Sequence, residues 1–181
     1  MPEPRSPRTA GGPPVNPSTS RPQGAPPSCH LSLFTCHSSP RPLALVSACL
    51  LGRPCRYDGR HKLVPGLQSA LRAAGYDILP LCPETDSGLG CPRPPIDLHP
   101  VPPPDGPLRA LRPDGTDCTP ALSAWIDATL ATLRRRPPAL CILKSKSPSC
   151  GIHPPRPGLF ATALRTAFPT IPLQDETAPL P

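Results

Sequence analysis

Aromatic side chains are scarce in this sequence: three Phe, two Tyr and one Trp make up 3% of 181 residues. Proteins that hold single-stranded nucleic acid stack bases on such rings, so the scarcity argues against that role. The chain is nevertheless basic, with a net charge of +7 and a pI near 9.2. Its arginines form no stripe; they are scattered through Pro-rich segments (Arg5, Arg8, Arg21, Arg41) or grouped at one helix end (Arg134, Arg135, Arg136). No apolar run of about eighteen residues occurs, so no membrane-spanning helix is expected. No apolar core of about seven residues precedes a cleavage site near the N-terminus, which argues against a secretory signal and for a cytoplasmic protein. The acid-poor, Arg- and Ser-containing N-terminus faintly suggests organellar targeting, and its prolines argue against the amphipathic helix such peptides use. No two cysteines stand in C-x-x-C spacing, which excludes an ordinary zinc ribbon.

Proline is what the chain has in excess, 35 in all. Residues 1–42 hold eleven of them, with Ser, Thr, Gly and Arg and only short apolar patches. Such a segment cannot bury enough apolar area to offset its ordering entropy, so a disordered segment is expected over 1–42. Residues 43–176 form the foldable domain, and 177–181 a C-terminal tail.

Within that domain the pattern changes. Pro42–Ser47 reads as a short buried strand. Lys62–Ala74 has apolar residues at 63, 67, 70, 71 and 74, a helical spacing, with Pro65 in its first turn and Gly75 after its end. Tyr76–Leu81 is a second strand. Residues 83–107 read as a long irregular stretch. Thr119 and Pro120 predict a helix start, as N-cap and first residue, and Ala121–Arg135 carries Leu122, Trp125, Ile126, Leu130 and Leu133 on one face. Ala139–Lys144 is a third strand, Gly158–Phe168 a last helix and Thr170–Leu173 a final strand. This alternation predicts an α/β fold: a small, mostly parallel sheet covered by helices in three Rossmann-like layers.

The parallel arrangement carries a chemical consequence. Ligands of open α/β sheets bind beyond the carboxyl ends of the strands. Of nine cysteines, Cys49, Cys82 and Cys150 each follow a strand or sit in the loop beside one. Three thiolates gathered on one rim suit a soft metal or an iron–sulfur cluster. The plain alternative is three small buried hydrophobes. Cys141, inside a strand, takes that plain reading, and no role follows for Cys55, Cys91 or Cys118.

Four stretches in order, VSACLLGRPCRYDGRHK, LPLCPE…GLGCPRPP, DGTDCT and LKSKSPSCG, resemble the motifs of the domain of unknown function 523, which includes the thiouracil desulfurases. The resemblance covers about residues 43–176. It implies a 4Fe–4S cluster on Cys49, Cys82 and Cys150, with the fourth iron free to take sulfur from a thiolated nucleobase. It also implies a small-molecule thiolated base as substrate and a dependence on iron–sulfur assembly machinery. The reaction implied is non-redox desulfuration with release of sulfide. The alternative is a non-catalytic cluster-, thiol- or zinc-binding protein, a sensor or scaffold. Glu84 is placed as proton handler or as a solvated loop carboxylate. Ser147 and Ser149 are candidate hydrogen-bond donors to cluster or substrate, or turn formers around Pro148. Arg56, Tyr57, Asp58 and Arg93 are candidate substrate contacts, with Tyr57-Asp58-Gly59 also legible as a structural turn. Two departures stand out: a shorter connection, Ile152–Pro157, after Cys150, and Gly88-Leu89-Gly90-Cys91-Pro92 where the family has Gly-Gly-Leu-Pro.

Overall fold

A computed structural model describes residues 40–103, 106–153 and 155–179. Nearly all of the segment expected to be disordered therefore lies outside the described residues, as do the last two residues of the tail. Four parallel strands form the main sheet: β1 (Leu43–Ser47), β2 (Asp77–Leu81), β5 (Pro138–Leu143) and β6 (Leu173–Asp175), in the order β2-β1-β5-β6. Two short strands, β3 (Asp97–Pro100) and β4 (Leu108–Leu111), make a separate antiparallel hairpin. The helices are α1 (Leu67–Ala73), α2 (Thr119–Leu133) and α3 (Leu159–Ala167).

The central strands are apolar on both faces, as a covered parallel sheet requires. Leu43, Leu45, Cys141 and Leu143 pack with Ile126 and Leu130 of α2 and Phe160 and Leu164 of α3. The alternate residues Ala44, Val46, Leu140 and Ile142 pack with Leu67 and Leu71 of α1. The period-two alternation of the strands thus sorts one set of side chains to each helical layer. Trp125 meets Phe160 edge to face, ring centroids 5.2 Å apart, and joins α2 to α3. Pro80 is tolerated in β2 because that strand is an edge of the sheet. The expected α/β architecture is the one observed.

Several boundaries shift, for local reasons. The helix expected from Lys62 begins at Leu67. Lys62 and Val64 instead donate their N–H groups to the carbonyls of Cys49 and Leu50, both at 2.9 Å, and Gly66 turns the chain with φ of 80°. Thr119 does not cap α2: its hydroxyl accepts from the Ala110 N–H at 2.8 Å, and Cys118 is the N-cap residue. The stretch 83–107 is not irregular throughout. It holds a π-type turn (Thr85–Leu89) and β3, whose Leu98 packs with Ala110, Cys118 and Leu122. Four-residue strands set among prolines show too little alternation to be read from sequence. Among the described residues no helix is long and apolar enough to cross a membrane.

Candidate active site

In strand order β2-β1-β5-β6 the chain winds away from β1 in one direction and from β5 in the other. The crevice beyond the carboxyl ends of β1 and β5 is therefore the expected ligand position. A cavity of about 470 Å³ lies there, and Cys49, Cys82 and Cys150 all line it. The three cysteines separated by up to a hundred residues do share one pocket.

Each is delivered by a different local device. β1 ends at Ser47, and a 3-10 turn, Ala48–Leu51, closes on Gly52, whose φ of 92° suits a residue without Cβ. That turn places Cys49 at the mouth. Cys82 follows β2 directly; its N–H donates to Asp86 Oδ2 at 2.8 Å, and Asp86 is held from outside by Arg53 at 3.0 Å. Cys150 closes the loop after β5. Its N–H donates to Ser147 Oγ at 3.1 Å, and Phe160 and Ala161, opening α3, donate to the Ser149 carbonyl at 3.0 and 3.2 Å. Gly158 is pressed against this loop: a Cβ there would stand 2.4 Å from the Ser149 carbonyl carbon and 2.7 Å from the Cys150 nitrogen.

A fourth thiol, Cys55, lines the same cavity, and the Cys82 thiol donates to its backbone carbonyl at 3.5 Å. The Cys55 pKa is raised to about 11, chiefly by the neighbouring Cys49 thiol, with burial adding and Cys82 opposing. Cys82 is pushed far up, first by the neighbouring Cys55 thiol and then by burial, with Thr85 pulling the other way; its own thiol donates to Thr85 Oγ1 at 3.4 Å. Burial pushes Cys150 up to about 12, and the hydroxyls of Ser47 and Ser147 pull the other way. Those two serines play matching parts. Each hydroxyl oxygen accepts a backbone N–H, Ser47 from Lys144 at 2.9 Å and Ser147 from Cys150, and each serine opposes the rise in the Cys150 pKa. All seven described cysteines are free.

Glu84 is buried at the cavity wall. Its Oε2 accepts Arg93 Nη2 at 2.6 Å and Nε at 3.1 Å, and its Oε1 accepts the Ser149 hydroxyl at 3.1 Å. Arg93 also gives Nη1 to the carbonyls of Cys55 at 3.1 Å and Gly90 at 2.9 Å. A guanidinium has five N–H protons, so one Nη2 proton is left without a protein acceptor among the described residues.

Of the candidate contacts, Arg56, Tyr57, Arg93 and Ser147 line the cavity with Glu84. Asp58 and Ser149 do not. Asp58 accepts the Arg60 N–H at 3.1 Å and pairs with Arg56 at 3.5 Å, so it shapes the Tyr-Asp-Gly turn. Ser149 reaches the cavity only through Glu84. Lys144 lines the cavity too, but its ammonium pairs with Glu176 Oε1 at 2.6 Å. Cys118 and Cys141 sit in apolar clusters. Cys91 is exposed, with its thiol on the carbonyls of Pro54 and Arg56 at 3.1 and 3.3 Å. Among the described residues, the short connection after Cys150 does not line this cavity. Its His153 and Arg156 border a second, more open hollow of about 1010 Å³ that shares Asp97, Lys146 and Ser147 with the first.

The sequence reading missed Cys55, Ser47 and Thr85. Cys55 lies in the same motif as Cys49 but follows no strand, which is why the strand-end argument passed over it. Ser47 is a strand terminus whose partner is a hundred residues away.

A solved structure of the 4Fe-4S-dependent thiouracil desulfidase TudS superposes with a TM-score of 0.62 at 31% identity, covering 76% of this chain and 92% of that one. The uncharacterized protein YbbK of Bacillus subtilis (strain 168) is 30% identical over 112 residues, 60% of this chain and 73% of YbbK. The family model described as 2-thiouracil desulfurase matches residues 44–176. The chain therefore belongs to the 2-thiouracil desulfurase family, a family of sulfur-removing enzymes.

Proposed function

We propose that this chain removes sulfur from a thiolated pyrimidine or a similar small thioamide and releases it as sulfide, using a 4Fe–4S cluster held by Cys49, Cys82 and Cys150. The observation that carries the reading is the meeting of these three thiols in one cavity beyond the strand ends, with a buried carboxylate beside them. The donor set fits the group: soft thiolates from three separate elements and no closely spaced zinc pair. When bound, the cluster supplies a thiophilic iron with no protein ligand of its own.

The chain's residues supply the rest. Glu84 is the proton handler. Arg93 and Ser149 fix its carboxylate, so it can take a proton from an attacking water at Oε1 without first reorienting. Arg93 acts mainly through Glu84, and its remaining Nη2 proton is available to a carbonyl oxygen of the substrate. Arg56 and Tyr57, at the cavity edge with the guanidinium 5.8 Å from the ring centroid, offer a flat cationic–aromatic surface to a planar base. Ser147 and Ser47 support Cys150 and are positioning residues.

Anaerobic reconstitution with iron and sulfide tests the proposal. Wild type is expected to bind one cubane per chain and to release sulfide from 2-thiouracil. Cys49→Ala, Cys82→Ala and Cys150→Ala are expected to lose cluster iron. A Cys150→Ala chain with full iron and sulfide content overturns the ligand set, and a loaded wild type that releases no sulfide from thiouracil or related thioamides overturns the activity.

A further inference from the structure

Thr85 does not line the cavity, yet its hydroxyl touches one of the three sulfurs that do. The turn after β2 puts it there. The Asp86 N–H donates to the Cys82 carbonyl at 2.8 Å, and the Cys82 N–H donates to Asp86 Oδ2 at 2.8 Å. These two bonds close Cys82 and Asp86 into one turn. Side chains three residues apart on such a turn are neighbours, so Thr85 comes to lie beside Cys82.

The hydroxyl is the centre of a small polar knot. The Cys82 thiol has two acceptors in reach, Thr85 Oγ1 at 3.4 Å and the Cys55 carbonyl at 3.5 Å. Thr85 donates its own proton to the Cys55 carbonyl at 3.1 Å. Arg93 Nη1 reaches both oxygens, the carbonyl at 3.1 Å and Oγ1 at 3.4 Å. A cysteine bound to a metal is a thiolate and has no proton to give. Its sulfur then only accepts, and a carbonyl oxygen 3.5 Å away becomes an unfavourable neighbour. A hydroxyl rotates about its C–O bond and carries one proton and two lone pairs. Turning the Thr85 proton from the carbonyl to the sulfur satisfies the thiolate, while the carbonyl keeps Arg93 Nη1. The exchange strands no polar group in the knot.

We propose that Thr85 is a positioning residue for the Cys82 ligand: its hydroxyl, an acceptor of the Cys82 thiol, becomes the donor to the Cys82 sulfur when that sulfur binds iron. The inference rests on the cluster reading above. A donor to a ligand thiolate draws charge from it, which favours the more negative reduced cluster and weakens the iron–thiolate bond slightly.

The test uses the full chain, reconstituted anaerobically, as wild type, Thr85→Val and Thr85→Ser. Valine keeps the branched shape without the hydroxyl, and serine keeps the hydroxyl. Iron and sulfide are counted, the midpoint potential is read by reductive titration, and iron–thiolate stretching is read by resonance Raman in water and in deuterium oxide. Both variants are expected to take up wild-type iron and sulfide. Thr85→Val is expected to show a more negative potential, a higher iron–thiolate frequency and a smaller deuterium shift. Thr85→Ser is expected to stay near wild type in all three. A loaded Thr85→Val chain that matches wild type in potential and deuterium shift would overturn the inference alone. So would a Thr85→Ser chain that departs as far as Thr85→Val, or a Thr85→Val chain that takes up no iron, since either makes the side chain structural. A wild type that takes up no cluster would overturn the cluster reading as well.

Discussion

Replacing Arg93 with methionine removes the guanidinium and keeps most of the stem. The Glu84 carboxylate would then be left in a wall where the two side chains are 3% and 10% exposed, with only the Ser149 hydroxyl as partner. Breaking a buried ion pair by removing one member costs about 3–5 kcal/mol, because the remaining charge stays desolvated and unpaired. The Gly90 carbonyl also loses its donor, while the Cys55 carbonyl keeps Thr85. Against a typical domain stability of about 5–15 kcal/mol, the variant should remain folded but be much weakened. Urea unfolding of the cluster-free chain measures this. Arg93→Met is expected to fall by about 3–5 kcal/mol. Adding Glu84→Gln removes the stranded charge, so the double variant should recover about 1–3 kcal/mol of the loss. A single variant within about 0.5 kcal/mol of wild type, as for a surface substitution, would refute the claim that this pair organises the wall.

Gly158→Ala forces a Cβ to 2.4 Å from the backbone that carries Cys150. It is expected to cost about 1–3 kcal/mol and to lower iron content after reconstitution, read by unfolding and metal counting. Ser47→Ala strands the Lys144 N–H and withdraws a donor from Cys150. The expected loss is about 1–3 kcal/mol in the same unfolding assay. Asp175 is held down to about 2, first by the Thr177 hydroxyl, against burial, with the Thr177 N–H and His153 also helping. Its folded value lies below its unfolded one, so its stabilising contribution is full above about pH 4 and disappears as pH falls toward 2. Wild type should lose urea resistance across that window, and Asp175→Asn should show a flatter acid dependence.

How much was legible differs from one element to the next. The long apolar patterns carried α2, α3 and the central strands, because their burial is written in the spacing of single residues. The hairpin of β3 and β4 was not legible: its strands are four residues each, too short for a clear alternation, and its core partners, Cys118 and Leu122, lie outside it. The start of α1 was misplaced for a related reason. Lys62 and Val64 look helical, yet two carbonyls of the turn after β1 claim their N–H groups.

By itself the sequence determined the parallel α/β order, and with it the rim on which Cys49, Cys82 and Cys150 had to stand, since strand direction and connection length leave little other choice. The tertiary structure alone decided what surrounds them. Cys55 follows no strand, and its place at the cavity goes with bonds from distant Thr85 and Arg93 to its carbonyl. Ser149, next to Cys150, is turned to Glu84 instead. Ser47 meets Cys150 across about a hundred residues. Periodicity records which face of an element is buried, but hydrogen bonds between distant elements depend on how those elements pack, and no local pattern encodes that.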